Sequence, residues 1–273
     1  MTSSIQQDLQ RTTIGNHNAN STPGMSLPPQ SFASATEERI YIKQRLAGAF
    51  RIFGHLQFDE GVAGHISVRD PELRDHFWVN PVGMHFSLIK ASDLVLVNHD
   101  GEIVEGNALV NTAAFAIHSR LHAHRQDVNA VAHSHSPYGR AFSALGKELA
   151  PISQDACMFY GNQAVYKTFQ GVVEDTTEGD EIATAMGDKP AAILQNHGIL
   201  TVGASVDTAV GLFMAMESAC RSQLLAEAAG TPIEVDLDTA LKTREYNATE
   251  LVKWANFQPM YQLMLHRDPS FLD

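Results

Sequence analysis

Two imidazoles stand one residue apart in the run VNAVAHSHSPYGRA, residues 128–141, where His133 and His135 follow an apolar stretch. In an extended strand, residues i and i+2 share a face and lie about 6.5–7 Å apart along the chain. Side chains placed that way can converge on one cation through metal–nitrogen bonds of about 2.0–2.1 Å. Short HxH pairs also arise by chance, so this one needs a third ligand to mean a metal site. The run AAILQNHG offers a candidate: an apolar stretch leads to His197, and Gly198 then permits a turn or a close backbone approach. Taken alone, His197 is simply a turn histidine. On a strand beside the HxH strand it would complete a facial set of three imidazoles with open coordination positions, the pattern of a catalytic metal site.

The elements that must carry these residues follow from periodicity and capping. Ser136 suits an N-cap and Pro137 a first helical position, so the pair falls where a strand gives way to a helix. Open α/β sheets bind ligands at such strand ends. Residues 111–125 before it have a helical apolar stripe of Ala114, Phe115, Ile117 and Leu121. Residues 36–58 also read as helix, followed by strand-like pieces HISVRD, HFWVNP and DLVLVNHDGEIVEG, the last turning at His99-Asp100-Gly101. Beyond the HxH strand come a short helix at 180–186, two strands flanking Asn196-His197-Gly198, a long helix over 206–228 and a closing helix around 248–265. Strands and helices alternate irregularly, which predicts one α/β or α+β domain over 35–273, a central sheet covered by helices. Residues 1–34 are rich in Ser, Thr, Asn, Gln and Pro, and read as a disordered polar leader.

Composition excludes several function classes. A 273-residue chain with 44% hydrophobic residues can bury a sizeable core. Its formal charge of −12 and lack of a basic stripe argue against a nucleic-acid partner. Two cysteines, Cys157 and Cys220, give neither a disulfide framework nor a metal knuckle. No apolar stretch reaches the roughly 18 residues a membrane span needs, and the leader lacks a secretory apolar region. A cytoplasmic protein acting on a small molecule is expected.

The segments GVAGHISVRDP, NPVGMHFSLI, DLVLVNHDGEIVEG, NTAAFAIHSRLHAHRQDVNAVAHSHS, ISQDACMFYG and LQNHGILTVG, taken in that order, resemble the class II aldolase/adducin head-domain family. The resemblance covers residues 36–230. It implies a three-layer α/β/α sandwich around a mainly antiparallel sheet, and a homotetramer with active sites near subunit contacts. It also implies that His133, His135 and His197 are the metal ligands, for a divalent ion: Zn(II) first, with Fe(II) or Mn(II) as alternatives.

The sequence departs from the family's phosphosugar aldolases at two places. Their phosphate-cradling segments correspond here to Gly64-His65-Ile66-Ser67, Asn80-Pro81-Val82-Gly83 and Thr112-Ala113, with hydroxyls replaced at Val82 and Ala113. A dianionic phosphate needs several aligned donors, and this set is thinned, leaving Gly64, Ser67, Asn80 and Gly83 as candidate contacts for some other substrate. The glutamate that abstracts a substrate proton in those aldolases is matched by Ala114, and no glutamate occurs between Gly106 and Lys147. Candidate replacements for proton transfer are His65, His85 and Tyr160, though each histidine taken alone reads first as an ordinary loop residue. His118 and His122, at i and i+4, are expected to be one packed and one solvated. Asp155 is a candidate to orient a ligand histidine, or merely a turn residue. Arg69-Asp70 is read as an ion pair or a carboxylate anchor.

Three function classes follow. The leading expectation is a metal-dependent carbon–carbon lyase, a decarboxylase or retro-aldolase, on a non-phosphorylated carboxylated molecule. A non-haem Fe(II) oxygenase using the three histidines is the second. The third is a non-catalytic adducin-like interaction module, disfavoured because no basic tail follows Asp273.

Overall fold

The computed structural model describes residues 31–171 and 175–273. Its centre is an eight-stranded sheet: β1 (His65–Arg69), β2 (His76–Val79), β3 (Val95–Asn98), β4 (Ile103–Glu105), β5 (Ala130–Ser134), β6 (Ala164–Tyr166), β7 (Ala191–Leu194) and β8 (Gly198–Gly203). The strands lie in the order β4-β3-β2-β1-β5-β8-β7-β6, and every neighbouring pair is antiparallel except β6 with β7. The helices are α1 (Ala35–His55), α2 (Thr112–His124), α3 (Pro137–Ser143), α4 (Thr177–Met186), α5 (Val206–Ala229), α6 (Leu237–Asn247) and α7 (Glu250–Arg267).

Alternation along the strands sets the layers. Ile66, Val68, Ala130, Ala132, Ile193 and Ile199 face α1, α5 and α7 in the larger core. Val131, Ala192, Leu200 and Val202 face α2 and α4 on the other side, where a smaller cluster holds Phe77, Val79, Val95, Val97 and Ala114. This is the α/β/α sandwich with a mainly antiparallel sheet that the family resemblance implied. Among the described residues no helix is long and apolar enough to cross a membrane.

Two expectations change. Residues 1–30 of the expected leader lie outside the described residues, but its last residues are packed: the Phe32 ring sits 5.3 Å from that of Tyr41, and Ser34 caps α1 by accepting from the Glu37 amide. The closing segment is two helices, not one. In α6 only Ala240 and Asn247 are buried, so LDTALKTREYN shows no apolar stripe, and its start is set by Asp236 accepting from the Thr239 amide.

Candidate active site

β5 delivers His133 to one end of the sheet, with His65 of β1 directly opposite on one side and Leu200 of β8 on the other. The β7–β8 hairpin turns through Asn196, whose φ of 60° is in the left-handed region asparagine tolerates. Its tip presses on the end of β5, and Gly198 makes that possible. A Cβ at Gly198 would stand 2.9 Å from the Ser134 carbonyl oxygen and 3.4 Å from His133 Cε1. Gly64, with φ of 92°, approaches Ser134 from the other side, where a Cβ would meet Ser134 Cβ at 3.1 Å.

His135 leaves β5 just before α3, and that junction is pinned by Glu217 of α5. The buried carboxylate accepts from Ser136 Oγ at 2.5 Å, the Tyr138 amide at 2.8 Å and the Gly139 amide at 2.6 Å. Ser136 therefore does not cap α3 itself; it donates to the carboxylate that does.

The three imidazoles converge. Ring centroids are 5.4 Å apart for His133 and His135, 4.7 Å for His133 and His197, and 4.9 Å for His135 and His197. One ring nitrogen from each lies within 4.8 Å of the others. His133 Nδ1 donates to the Ile199 carbonyl at 2.9 Å, which leaves Nε2 as its lone-pair atom. Burial holds His133 well below the ordinary histidine range and pulls His197 down to about 4; burial, with Arg140 nearby, also lowers His135. All three are neutral at pH 7, the form that binds a cation. A preorganised set of neutral imidazoles fits a divalent metal ion, with no thiolate or carboxylate ligand among them.

His65 sits beside this group, its ring 5.0 Å from that of His133, nearly fully buried and depressed well below its ordinary pKa by burial. Its Nδ1 is 2.7 Å from His118 Nε2, His118 Nδ1 is 2.7 Å from Ser67 Oγ, and Ser67 Oγ is 2.9 Å from His122 Nε2. Two expectations fall here. His118 and His122 are both fully buried, and neither is solvated. Ser67 does not face a substrate, because its hydroxyl is occupied by two imidazoles in the interior.

The remaining candidates separate. Asn80 follows β2 beside the start of β1, is 7% exposed, and its Oδ1 has no partner among the described residues. Gly83 lies on the exposed turn beyond it, with φ of 84°. His85 is largely exposed, pairs through Nε2 with Asp59 at 2.9 Å, and accepts from the Ser87 amide, so it serves as a surface cap. Asp155 is exposed and bonds no ligand histidine; the orienting role falls to the Ile199 carbonyl. Tyr160 is not brought to the histidines within the chain. It precedes Gly161 and Asn162, which line a groove with Val202 and Gly203. That is the far end of β8 from His197, roughly 17 Å along the strand. Arg69 donates to the carbonyls of Arg74, His122, Arg125 and Val128, while Asp70 pairs with Arg39, so the two are separate structural clamps.

Arg140 is a residue whose role the sequence did not disclose. It stands on α3, ion-paired with Glu60, both about half exposed, and the two act electrostatically on His135. This places a guanidinium at the mouth of the histidine group, where it can meet an anionic substrate. The only hint was its position five residues after His135. Ala114, by contrast, is buried among Phe77, Val79, Val95 and Val97, and no acid replaces it on that helix face. His118 and His122 continue the face one and two turns on.

The family model for the Class II Aldolase and Adducin N-terminal domain matches residues 44–224. The chain belongs to this family. Decarboxylase NovR of Streptomyces niveus is 43% identical over 89% of the chain and 90% of its own length. A Streptomyces roseochromogenus subsp. oscitans protein named 4-hydroxy-3-prenylphenylpyruvate oxygenase/4-hydroxy-3-prenylbenzoate synthase is 41% identical over 89% of the chain and 88% of its own. Among solved structures, an L-fuculose 1-phosphate aldolase from Glaciozyma antarctica PI12 superposes with a TM-score of 0.81 at 44% identity, covering 88% of the chain and 94% of that structure. The names of these three similar proteins specify different chemistries: a decarboxylase, an oxygenase/synthase and an aldolase.

Proposed function

We infer that this class II aldolase-family protein is a lyase-type enzyme that cleaves a carbon–carbon bond in a non-phosphorylated, carboxylated small molecule, with decarboxylation as the reaction. One observation carries the reading: three converging neutral histidines stand beside a helix face that holds Ala114 in an apolar cluster instead of a carboxylate base. Loss of CO2 leaves the bonding pair on carbon without any C–H proton having been removed, so no such base is required. His133, His135 and His197 would hold a divalent ion, which would supply Lewis-acid stabilisation of charge developing on substrate oxygen. Arg140 meets the carboxylate at the mouth, exchanging its exposed partner Glu60 for the substrate. His65 then gives a proton from Nε2 to the carbon that CO2 has left. The low hydroxyl content of the turn at Asn80-Pro81-Val82-Gly83 disfavours a sugar phosphate, and the decarboxylase relative supports the reaction class.

A specific observation supports a second reading. The relative whose name specifies 4-hydroxy-3-prenylphenylpyruvate is called an oxygenase as well as a synthase, and three neutral imidazoles also suit Fe(II). The experiment that tests both is metal analysis of protein purified without chelators, then anaerobic reconstitution with Zn(II) or Fe(II). Turnover of aryl keto and hydroxy acids is followed as CO2 released and O2 consumed. Metal-dependent CO2 release without O2 uptake is expected, with no cleavage of L-fuculose 1-phosphate. Stoichiometric O2 uptake would establish the second reading instead, and cleavage of the sugar phosphate would overturn both.

A further inference from the structure

Behind His65 stand three buried side chains that touch none of the three converging histidines' ring nitrogens: His118, Ser67 and His122. The contacts of 2.7, 2.7 and 2.9 Å join them to His65 Nδ1 in single file. Each residue reaches the line from a different turn of α2 or from β1, so packing of this helix on this strand creates it. Burying polar groups in series is unfavourable unless each finds a partner. Here every junction is satisfied but the last: His122 Nδ1 is buried without a hydrogen bond of good geometry among the described residues, although the Val128 carbonyl acts on this ring and favours a hydrogen there. The His122 ring stacks on Phe77 at 5.2 Å, and Arg69, Arg74 and His99 are the charged or titratable groups that act on it.

The donor inventory admits two ordered arrangements in which all three rings are neutral. In the first, His65 carries its hydrogen on Nε2 and accepts at Nδ1 from His118 Nε2–H. His118 Nδ1 accepts from Ser67 O–H, and Ser67 Oγ accepts from His122 Nε2–H. In the second, every hydrogen points the other way, and His122 carries its hydrogen on Nδ1. The two arrangements differ by one proton given up at His65 Nε2 and one taken up at His122 Nδ1.

We propose that His118, Ser67 and His122 form a proton relay that lets His65 donate from Nε2 while a proton enters at His122 Nδ1. The inference rests on the lyase reading for its use, since decarboxylation consumes one proton per turnover. The steps balance. The His65 Nε2–H bond breaks and its proton bonds to substrate carbon. His118 Nε2–H passes to His65 Nδ1, Ser67 O–H to His118 Nδ1, and His122 Nε2–H to Ser67 Oγ, while a proton of solvent origin, which must reach this buried atom through the surrounding protein, binds His122 Nδ1. No ring ends charged, so the burial that disfavours an imidazolium does not obstruct the transfer. After product leaves, water reprotonates His65 Nε2, and the same shifts run backward, releasing the proton from His122 Nδ1. The three are positioning residues for His65, not catalytic ones.

Two measurements test this. In 15N-histidine-labelled protein, two-bond 1H–15N spectra report each ring's tautomer without any turnover. Wild type is expected to show His65 ordered in one neutral tautomer, and Ser67→Ala to spread it over both; a wild-type His65 already spread over both overturns the relay. The second measurement is turnover in H2O/D2O mixtures with His118→Gln, whose amide can hydrogen-bond His65 but cannot pass a proton. The expected result is unchanged metal content, KM within about twofold, and kcat lower by about 10²-fold. The curved proton inventory of wild type should also become linear. A folded His118→Gln protein with wild-type kcat and inventory overturns the relay. Should that variant not fold, Ser67→Ala, which removes one oxygen, carries the same kinetic test. Wild type that turns over no carboxylated substrate defeats the lyase reading, while the tautomer spectra judge the chain of hydrogen bonds independently.

Discussion

Six histidines lie along and beside strands β1, β5 and β8, in two groups that share depressed pKa values and differ in what their nitrogens face. In His133, His135 and His197 the rings meet edge to face, with centroids 4.7 to 5.4 Å apart, and no hydrogen bond joins one to another among the described residues. In His65, His118 and His122 the ring nitrogens are committed to one another and to Ser67. Converging lone pairs repel unless a cation sits between them, whereas nitrogens in series need only ordered hydrogens. The same residue type can therefore serve two purposes: hydrogen-bond connectivity separates the groups, and depth does too, since His135 and His197 are part-buried while His65, His118 and His122 are buried.

The most severe break of this comparison is His133→Ala. It should abolish stoichiometric metal binding and lower turnover by at least about 10³-fold, read by elemental analysis and CO2 release. Metal retention by His118→Gln under the same purification would mark the second group as separate from the first. Equal metal loss in both variants would show that the two groups are one site.

Next in size is Ala114→Glu, which installs the aldolase acid that this chain lacks. The new carboxylate would be buried among Phe77, Val79, Val95 and Val97 without a cationic partner. A melting temperature lower by about 10 °C is expected, from a cost of about 3 kcal/mol or more. No sugar-phosphate cleavage should appear. A stable variant that cleaves L-fuculose 1-phosphate would mean the missing glutamate alone separates this protein from the sugar aldolases.

Acid should act on both groups together. His65, His118, His122 and His133 are held well below the usual histidine value, and His197 at about 4, chiefly by burial. The folded protein keeps these rings neutral, so below about pH 6.5 the unfolded chain binds more protons. Their contribution to stability is full above that pH and is lost as pH falls toward about 4. Scanning calorimetry of metal-free protein should give a flat melting temperature from about pH 8 to 7 and a decline from about 6.5 downward. Asp70, held at about 2 by Arg39 and its other hydrogen-bond donors, weakens only in a lower window, below about pH 4. A melting temperature unchanged down to pH 5 would contradict the buried, neutral state of both groups.

How much of this the sequence disclosed depends on how local each signal is. The triad was legible because a strand end and a tight turn are local features, and HSH and NHG carry them within a few residues. The relay was not, since Ser67 lies 51 and 55 residues from its partners His118 and His122. Their i, i+4 spacing showed that they share a helix side, without saying which strand that side covers. A helix-covered central sheet and most helices followed from apolar periodicity, and the sandwich followed from the family resemblance, but α6 is polar nearly all round and escaped. Tyr160 and Asp155 were candidates for what their side chains could do, a proton donor and an orienting carboxylate, and neither meets the histidines within the chain. Their neighbours in sequence, Ala156 to Phe159, are buried in the core, which turns that stretch away from the site.

The smallest expected effect sharpens the boundary of the second group. His65 and His85 looked alike in sequence, two histidines in short segments after glycines. His65 begins a central strand and is held on one side by His118, whereas His85 caps a short 3-10 turn and pairs from the surface with the part-buried Asp59. Pairs at the surface contribute about 0–1 kcal/mol. His85→Ala should thus change kcat by less than about threefold and melting temperature by no more than about 2–4 °C. His65→Ala should lose at least about 10²-fold in kcat with its metal in place. Comparable losses in the two variants would move the site's proton chemistry out to the Asp59–His85 mouth. The buried line of histidines would then be packing alone.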